Sequence, residues 1–104
     1  MTPEARTKTR VRRVLDIHKV YHFMPTGAGF GRSGLPDIVA CVNGRFLGIE
    51  CKAGKGKTTA LQEREIARIY AAGGTAMVIY DTEEDYAKLI AVLLHMLHML
   101  QIPR

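Results

Sequence analysis

Asp37, Glu50 and Lys52 are the residues of this chain best suited to chemistry, and one short turn would bring them together. Two alternating segments, residues 37–42 and 45–52, are separated by Asn43-Gly44, the strongest short signal for a β-hairpin. With those two residues as the turn, Val42 faces Arg45 and paired residue numbers sum to 87. Asp37 and Glu50 are then cross-strand partners on one face, with Cβ atoms about 5 Å apart. Lys52 lies two residues beyond Glu50 and shares that face. The opposite face carries Ile38, Ala40, Val42, Leu47 and Ile49, an apolar surface for a helix.

Two facing carboxylates repel, so the pairing calls for positive charge between them. Lys52 supplies part of it, and a divalent cation would supply the rest. Magnesium chooses carboxylate oxygens, keeps several waters and reaches outward to phosphate. A three-residue loop in place of the turn would shift the register by one and separate the carboxylates. For an arbitrary hairpin, an exposed Asp–Glu–Lys salt-bridge cluster is the plainer reading. Here Pro36, the glycine-rich residues 27–34 and the Gly-Lys loop of residues 53–59 converge on the same end, which favours a site.

Three other patterns weigh less. Gly56-Lys57-Thr58 lacks the glycine five residues before Gly56 that a nucleotide-binding P-loop needs, and Cys51 stands there. The loop still offers Lys55, Lys57 and a helix N-terminus to a phosphate, although for either lysine alone a solvated basic loop is the plainer reading. Gly29-Phe30-Gly31-Arg32-Ser33-Gly34 fits a dinucleotide fingerprint in letters only, because Pro36 and a strand follow where a helix is required. No nucleotide cofactor is expected; the segment holding Arg32 and Ser33 is read as a loop whose backbone a polyanion can approach or, nearly as well, as a plain flexible connection. His95 and His98, in a strongly apolar helix, are read as packing residues and not as metal ligands.

These residues need elements to position them. Pro3 at a first helical position, with Val11, Val14, Leu15 and His18 at helical spacing, marks a helix over residues 3–19. Its outer face is basic, with Arg6, Arg10 and Arg13 on one stripe and Lys8 and Arg12 on another. A short strand over residues 21–24 precedes the hairpin. A helix over residues 59–72 stops at Gly73-Gly74 and puts Gln62, Ile66 and Ile69 on its inward stripe. A buried-face glutamine needs hydrogen-bond partners, either from nearby backbone or from the site. A strand over residues 75–80 and a helix over residues 82–101 complete the order α-β-β-β-α-β-α. An α/β fold follows, a mixed β-sheet flanked by helices, in a single domain spanning residues 1–104.

Composition bounds the rest. The 104 residues carry a formal charge of +5, which favours a polyanionic partner without identifying one. Two cysteines, Cys41 and Cys51, make neither a zinc pattern nor a disulfide framework, and are read as reduced thiols. From the polar N-terminus no signal peptide is expected, and the apolar run from Leu89 to Leu100 is too short to span a membrane. A cytoplasmic protein is expected. The last helix is apolar almost all round, more than one small sheet can cover, so a homodimer through residues 82–101 is expected.

Pro36-Asp37, then Glu50-Cys51-Lys52, resembles the P-D…(D/E)-x-K signature of the restriction-endonuclease-like nucleases. The wider stretch GFGRSGLPDIVACVNGRFLGIECKAGKGKTTALQEREIARIYAAGG is similar to the virus-type replication-repair nuclease (VRR-NUC) domain, in its small stand-alone phage form. The similarity covers residues 3–80. It implies a restriction-endonuclease-like core, a phage or bacterial origin, and hydrolysis of DNA phosphodiesters with Mg2+ or Mn2+, often at branched or flapped structures. Carried onto this chain, it makes Asp37, Glu50 and the backbone carbonyl of Cys51 metal ligands. Lys52 would orient or activate the attacking water, and Arg6, Arg10, Arg32, Ser33, Lys55 and Lys57 are expected to contact the DNA. Gln62 matches a glutamine at the start of the next helix, and Glu4 an acidic residue of the first helix. For Glu4 the plainer reading is a first-turn acid favoured by the helix dipole. The alternative function is a non-catalytic nucleic-acid-binding domain of the same fold, which would have no reason to keep Asp, Glu and Lys on one face.

Overall fold

The computed structural model describes residues 1–26 and 32–102; most of the glycine-rich segment of residues 27–34 lies outside the described residues. Its elements are α1 (Pro3–Ile17), β1 (Tyr21–Phe23), β2 (Ile38–Val42), β3 (Arg45–Cys51), α2 (Ala60–Ala71), β4 (Thr75–Ile79) and α3 (Glu83–Leu97). The sheet runs β1-β2-β3-β4, antiparallel at β1–β2 and β2–β3 and parallel at β3–β4. This is the expected mixed α/β sheet, with α3 ending four residues earlier than its apolar run suggested.

The hairpin has the expected register. Val42 pairs with Arg45 and Ile38 with Ile49, and Asn43 and Gly44 have φ of 53° and 81°. Positive φ at both positions is what a type I′ turn demands, and its twist matches that of the strands. The turn also secures α3: Asn43 Nδ2 donates to the carbonyls of Met96 and Met99, and Arg45 Nη2 to that of Leu100. Carbonyls left over at a helix C-terminus thus acquire donors from another element.

One sheet face is fully covered. Ile38, Ala40, Val42, Leu47, Ile49 and Cys51 pack against Val11 and Leu15 of α1 and Tyr86, Leu89, Leu93 and Met96 of α3. Arg10 clamps these two helices: its guanidinium makes two 2.7 Å hydrogen bonds to Glu83 and lies 4.0 Å over the Tyr86 ring. The other face is covered only in part, by α2. Gly48 admits that helix, since a Cβ there would lie 2.9 Å from Pro36 and 3.1 Å from Ile69. Gly34 does the same for the incoming loop: its φ is +86°, and a Cβ would meet the Leu61 carbonyl at 2.5 Å. Beyond the reach of α2, Tyr21, Phe23 and Phe46 are left exposed.

Candidate active site

The β2–β3 register, carried one residue outward from Ile38 and Ile49, sets Asp37 against Glu50. Asp37 stands in the bend before β2, where Oδ2 accepts a 2.8 Å hydrogen bond from the backbone N–H of Cys51. Its Oδ1 lies 3.7 Å from Lys8 Nζ, which reaches the site from α1. Glu50 is only 4% exposed, and its Oε1 accepts a 2.8 Å hydrogen bond from Gln62 Nε2. Burial pushes the Glu50 carboxyl up to about 8; hydrogen bonding to Asp37 and the Asp37 charge add to the rise, while Lys52 opposes it. A carboxyl so placed ionises easily only when a cation arrives to replace the lost water.

Gln62 satisfies both readings of a buried-face glutamine at once. Thr59 caps α2 by accepting from the Gln62 N–H, and Gln62 Oε1 accepts from the Thr59 N–H, a complete capping box. With Oε1 held by the cap, the amide has only its Nε2 to turn toward Glu50. The helix start therefore fixes both the orientation and the donor character of the group beside the carboxylates.

Lys52 follows β3, half-buried, and makes no ion pair among the described residues. Its backbone is pinned from both sides: its N–H donates to the Ile79 carbonyl, and its carbonyl accepts from Thr7 Oγ1 at 3.0 Å. Cys51 touches the site through its amide. Its buried thiol is pushed up to about 12, by burial first and then by Asp37 and Glu50, so no thiolate forms there. Glu4, half-buried in the first turn of α1, acts on Glu50 only as the weakest of the named charges. Among the described residues no three His, Cys, Asp or Glu side chains converge as a metal cage. Two carboxylates facing each other are nonetheless a donor set that fits a hard cation keeping most of its waters, as magnesium does.

The sequence reading missed Lys8, Thr7 and Glu65. Thr7, Val11 and Leu15 form a buried i, i+4, i+8 stripe, which was legible as a helix period. Glu65 was harder to foresee: it is 3% exposed on α2, its Oε1 accepts from Arg32 Nε at 2.8 Å, and Arg64 and Arg68 stand 3.8 and 3.7 Å from Oε2. Hydrogen bonding from Arg32 lowers the Glu65 pKa.

Of the expected phosphate contacts, Lys55, Lys57, Arg6 and Ser33 are exposed. The loop bearing both lysines is anchored where Tyr80 Oη donates to the Gly56 carbonyl at 2.6 Å. Arg32 is tied to Glu65 but still more than half exposed, whereas Arg10 is engaged by Glu83 and Tyr86. His95 in α3 and His98 at its C-cap are exposed and not packed as expected; the His98 ring bonds the Leu94 carbonyl. No described helix is long and apolar enough to cross a membrane.

Comparison with known proteins bears on the fold and the family. A solved structure titled VRR_NUC domain protein superposes with a TM-score of 0.70 over 91% of this chain and 90% of its own, at 20% identity, and so shares the fold. "Putative nuclease p44" of Acyrthosiphon pisum secondary endosymbiont phage 1 is 46% identical over 50 residues, 47% of this chain. The aligned part spans 54% of that relative's length. The family model of the archaeal Holliday junction resolvase (Hjc) matches residues 24–95, from the end of β1 into α3 and across the whole carboxylate hairpin. A match over that much of the chain places it in a family: it belongs to the archaeal Holliday junction resolvase family of nucleases.

Proposed function

We propose that this protein is a metal-dependent deoxyribonuclease that cuts branched, flapped or junction DNA, with its site at Asp37, Glu50 and Lys52. One observation carries the reading: two carboxylates face each other in register, one of them buried, and among the described residues the one ion pair made to them is that of Lys8 with Asp37, at 3.7 Å. A purely structural pair would be expected to be neutralised permanently. A non-catalytic binding domain of this fold would have no use for the opposed charges.

In this reading Asp37 and Glu50 hold Mg2+ or Mn2+, with the Cys51 carbonyl beside them, and Gln62 keeps Glu50 turned toward the ion. The bound ion would polarise the phosphoryl oxygen and acidify a water. Lys52, without an ion pair of its own among the described residues, faces the developing charge on the phosphate or orients the water. Lys8 holds Asp37 in place from α1. Lys55, Lys57, Arg6, Arg32 and Ser33 contact the backbone of the DNA. Incubating branched and linear DNA with the protein in Mg2+, Mn2+ or EDTA tests the reading. Cleavage that persists in EDTA, or none in either metal, would overturn it.

The same reading includes a homodimer. Ile90, Leu94 and Leu97 form an exposed apolar stripe on α3 that flanks the buried Leu89, Leu93 and Met96. A two-fold pairing would bury this stripe on both copies and present two sites to a junction with two arms. Sedimentation equilibrium is expected to give a dimer at micromolar protein, and a Leu94→Glu, Leu97→Glu variant a monomer. A monomeric wild type would remove the dimer from the proposal.

A further inference from the structure

The uncovered part of the sheet has a chemistry of its own. Tyr21 on β1, Cys41 on β2 and Phe46 on β3 are successive cross-strand partners, so their side chains share a face, and Phe23 lies one pleat along β1. That face is the one that carries Glu50, two pleats along β3 from Phe46. Tyr21, Phe23 and Phe46 are 74%, 49% and 42% exposed, and the Tyr21 and Phe23 rings meet edge to face at 6.4 Å. Three exposed aromatic rings on one face of so small a sheet need a reason.

Positive charge borders these rings. Glu65 gathers Arg32, Arg64 and Arg68 at the edge of α2, and one carboxylate against three guanidinium groups leaves a surplus of two positive charges. Among the described residues its Oε2 has no hydrogen bond, and the guanidinium nitrogens nearest to it stand 3.7 and 3.8 Å off. Arg32, Arg68 and Phe46 line a cavity of about 440 Å3 beside Glu65. Arg32 also lines the neighbouring cleft of about 400 Å3 that contains Lys8 and Asp37. The aromatic face is thus continuous with the carboxylate site, with Arg32 as the shared wall.

We infer that this face is a stacking platform for unpaired nucleobases next to the scissile phosphate. Phe46 and Phe23 take the base planes, and Arg32 and Arg68 take the phosphates between them. Apolar rings interleaved with guanidinium groups suit single-stranded nucleic acid, since every base has a stacking face and every link a negative charge. A second protein chain would satisfy the rings but would leave the surplus positive charge unanswered. The inference rests on the nuclease reading only for the position of the scissile phosphate, and it gives the enzyme a means of telling branched or flapped DNA from plain duplex.

The test is binding in EDTA, where no cleavage is expected and the metal has no part. Wild-type protein is expected to bind a flapped duplex more tightly than a fully paired duplex of equal charge, and to quench 2-aminopurine placed in the unpaired strand. Phe23→Leu and Phe46→Leu together keep apolar volume but remove both rings. They should weaken flap binding by about tenfold or more, abolish quenching and leave duplex affinity unchanged. Phe46→Tyr, which keeps the ring, should behave as wild type. No quenching by the wild type, equal loss on flap and duplex, or dissociation of a wild-type dimer by the double variant would each overturn the inference. Failure of cleavage with intact quenching would instead refute the nuclease reading and leave the platform standing.

Discussion

Two buried glutamates on the α2 side of the sheet have opposite fates. Glu65 meets three guanidinium groups, and hydrogen bonding from Arg32 lowers its pKa. Glu50 meets another carboxylate, and burial pushes it up to about 8. Both are almost fully removed from water. One charge is neutralised by the fold itself, and the other is left for something that arrives later. The difference separates a carboxylate that organises a surface from one suited to hold an ion.

Removing either of the two facing carboxylates should have the largest effect. Asp37→Ala or Glu50→Gln is expected to reduce Mg2+-dependent cleavage by about a thousandfold or more, because a metal ligand is lost. DNA affinity should stay close to wild type, since phosphates are held mainly by basic residues elsewhere. Gel cleavage assays with matched binding titrations measure both; a variant that cuts at near wild-type rate would erase the distinction between the two glutamates.

Lys52→Ala comes next. Turnover should fall severely, by roughly a hundredfold, while Mg2+ or Mn2+ affinity is kept or improved because a competing cation is gone. Calorimetric titration of the metal distinguishes this from a structural role, which would show as a large loss of metal binding.

Glu65→Gln should act on stability and not on chemistry. It leaves three arginines without their common anion and is expected to cost on the order of 1–2 kcal/mol, less than a fully buried pair because the guanidinium groups remain in contact with water. Denaturant melts measure the cost. Cleavage by the residual folded protein in saturating Mg2+ should be nearly unchanged on duplex arms.

The smallest effect sharpens the comparison through pH. Below its ordinary value of 4.5 the Glu50 carboxyl is protonated both folded and unfolded. As pH rises from there to about 8, the unfolded chain ionises and the folded one resists, so metal-free stability should decline across that window. Glu65 runs the other way: its contribution is present above the ordinary carboxylate value and is lost only as pH falls through the lowered one. Thermal melts in EDTA at several pH values should show a decline toward pH 8 that Glu50→Gln removes and Mg2+ reverses. An unaltered slope in that variant would assign the decline to another group.

The candidate site was legible in the sequence to the extent that its geometry depends on strand period and turn chemistry. Asn43-Gly44 sets a type I′ turn, the turn sets the register, and the register sets Asp37 against Glu50; each step is local and follows from backbone sterics. Gln62 was legible as an inward residue of α2 for the same reason, though not the way Thr59 holds one end of its amide and leaves the other for Glu50. What the tertiary structure alone decided was which charges meet. Lys8 and Arg12 shared one basic stripe on α1, yet Lys8 reaches Asp37; Arg10 looked free for DNA, yet Glu83 of α3 takes its guanidinium. Arg32 and Glu65 are thirty-three residues apart and join at 2.8 Å. A side chain's period along its own element fixes the direction in which it points. Its partner depends on how elements distant in sequence cross, and a charge is felt only once burial has removed the water that would screen it.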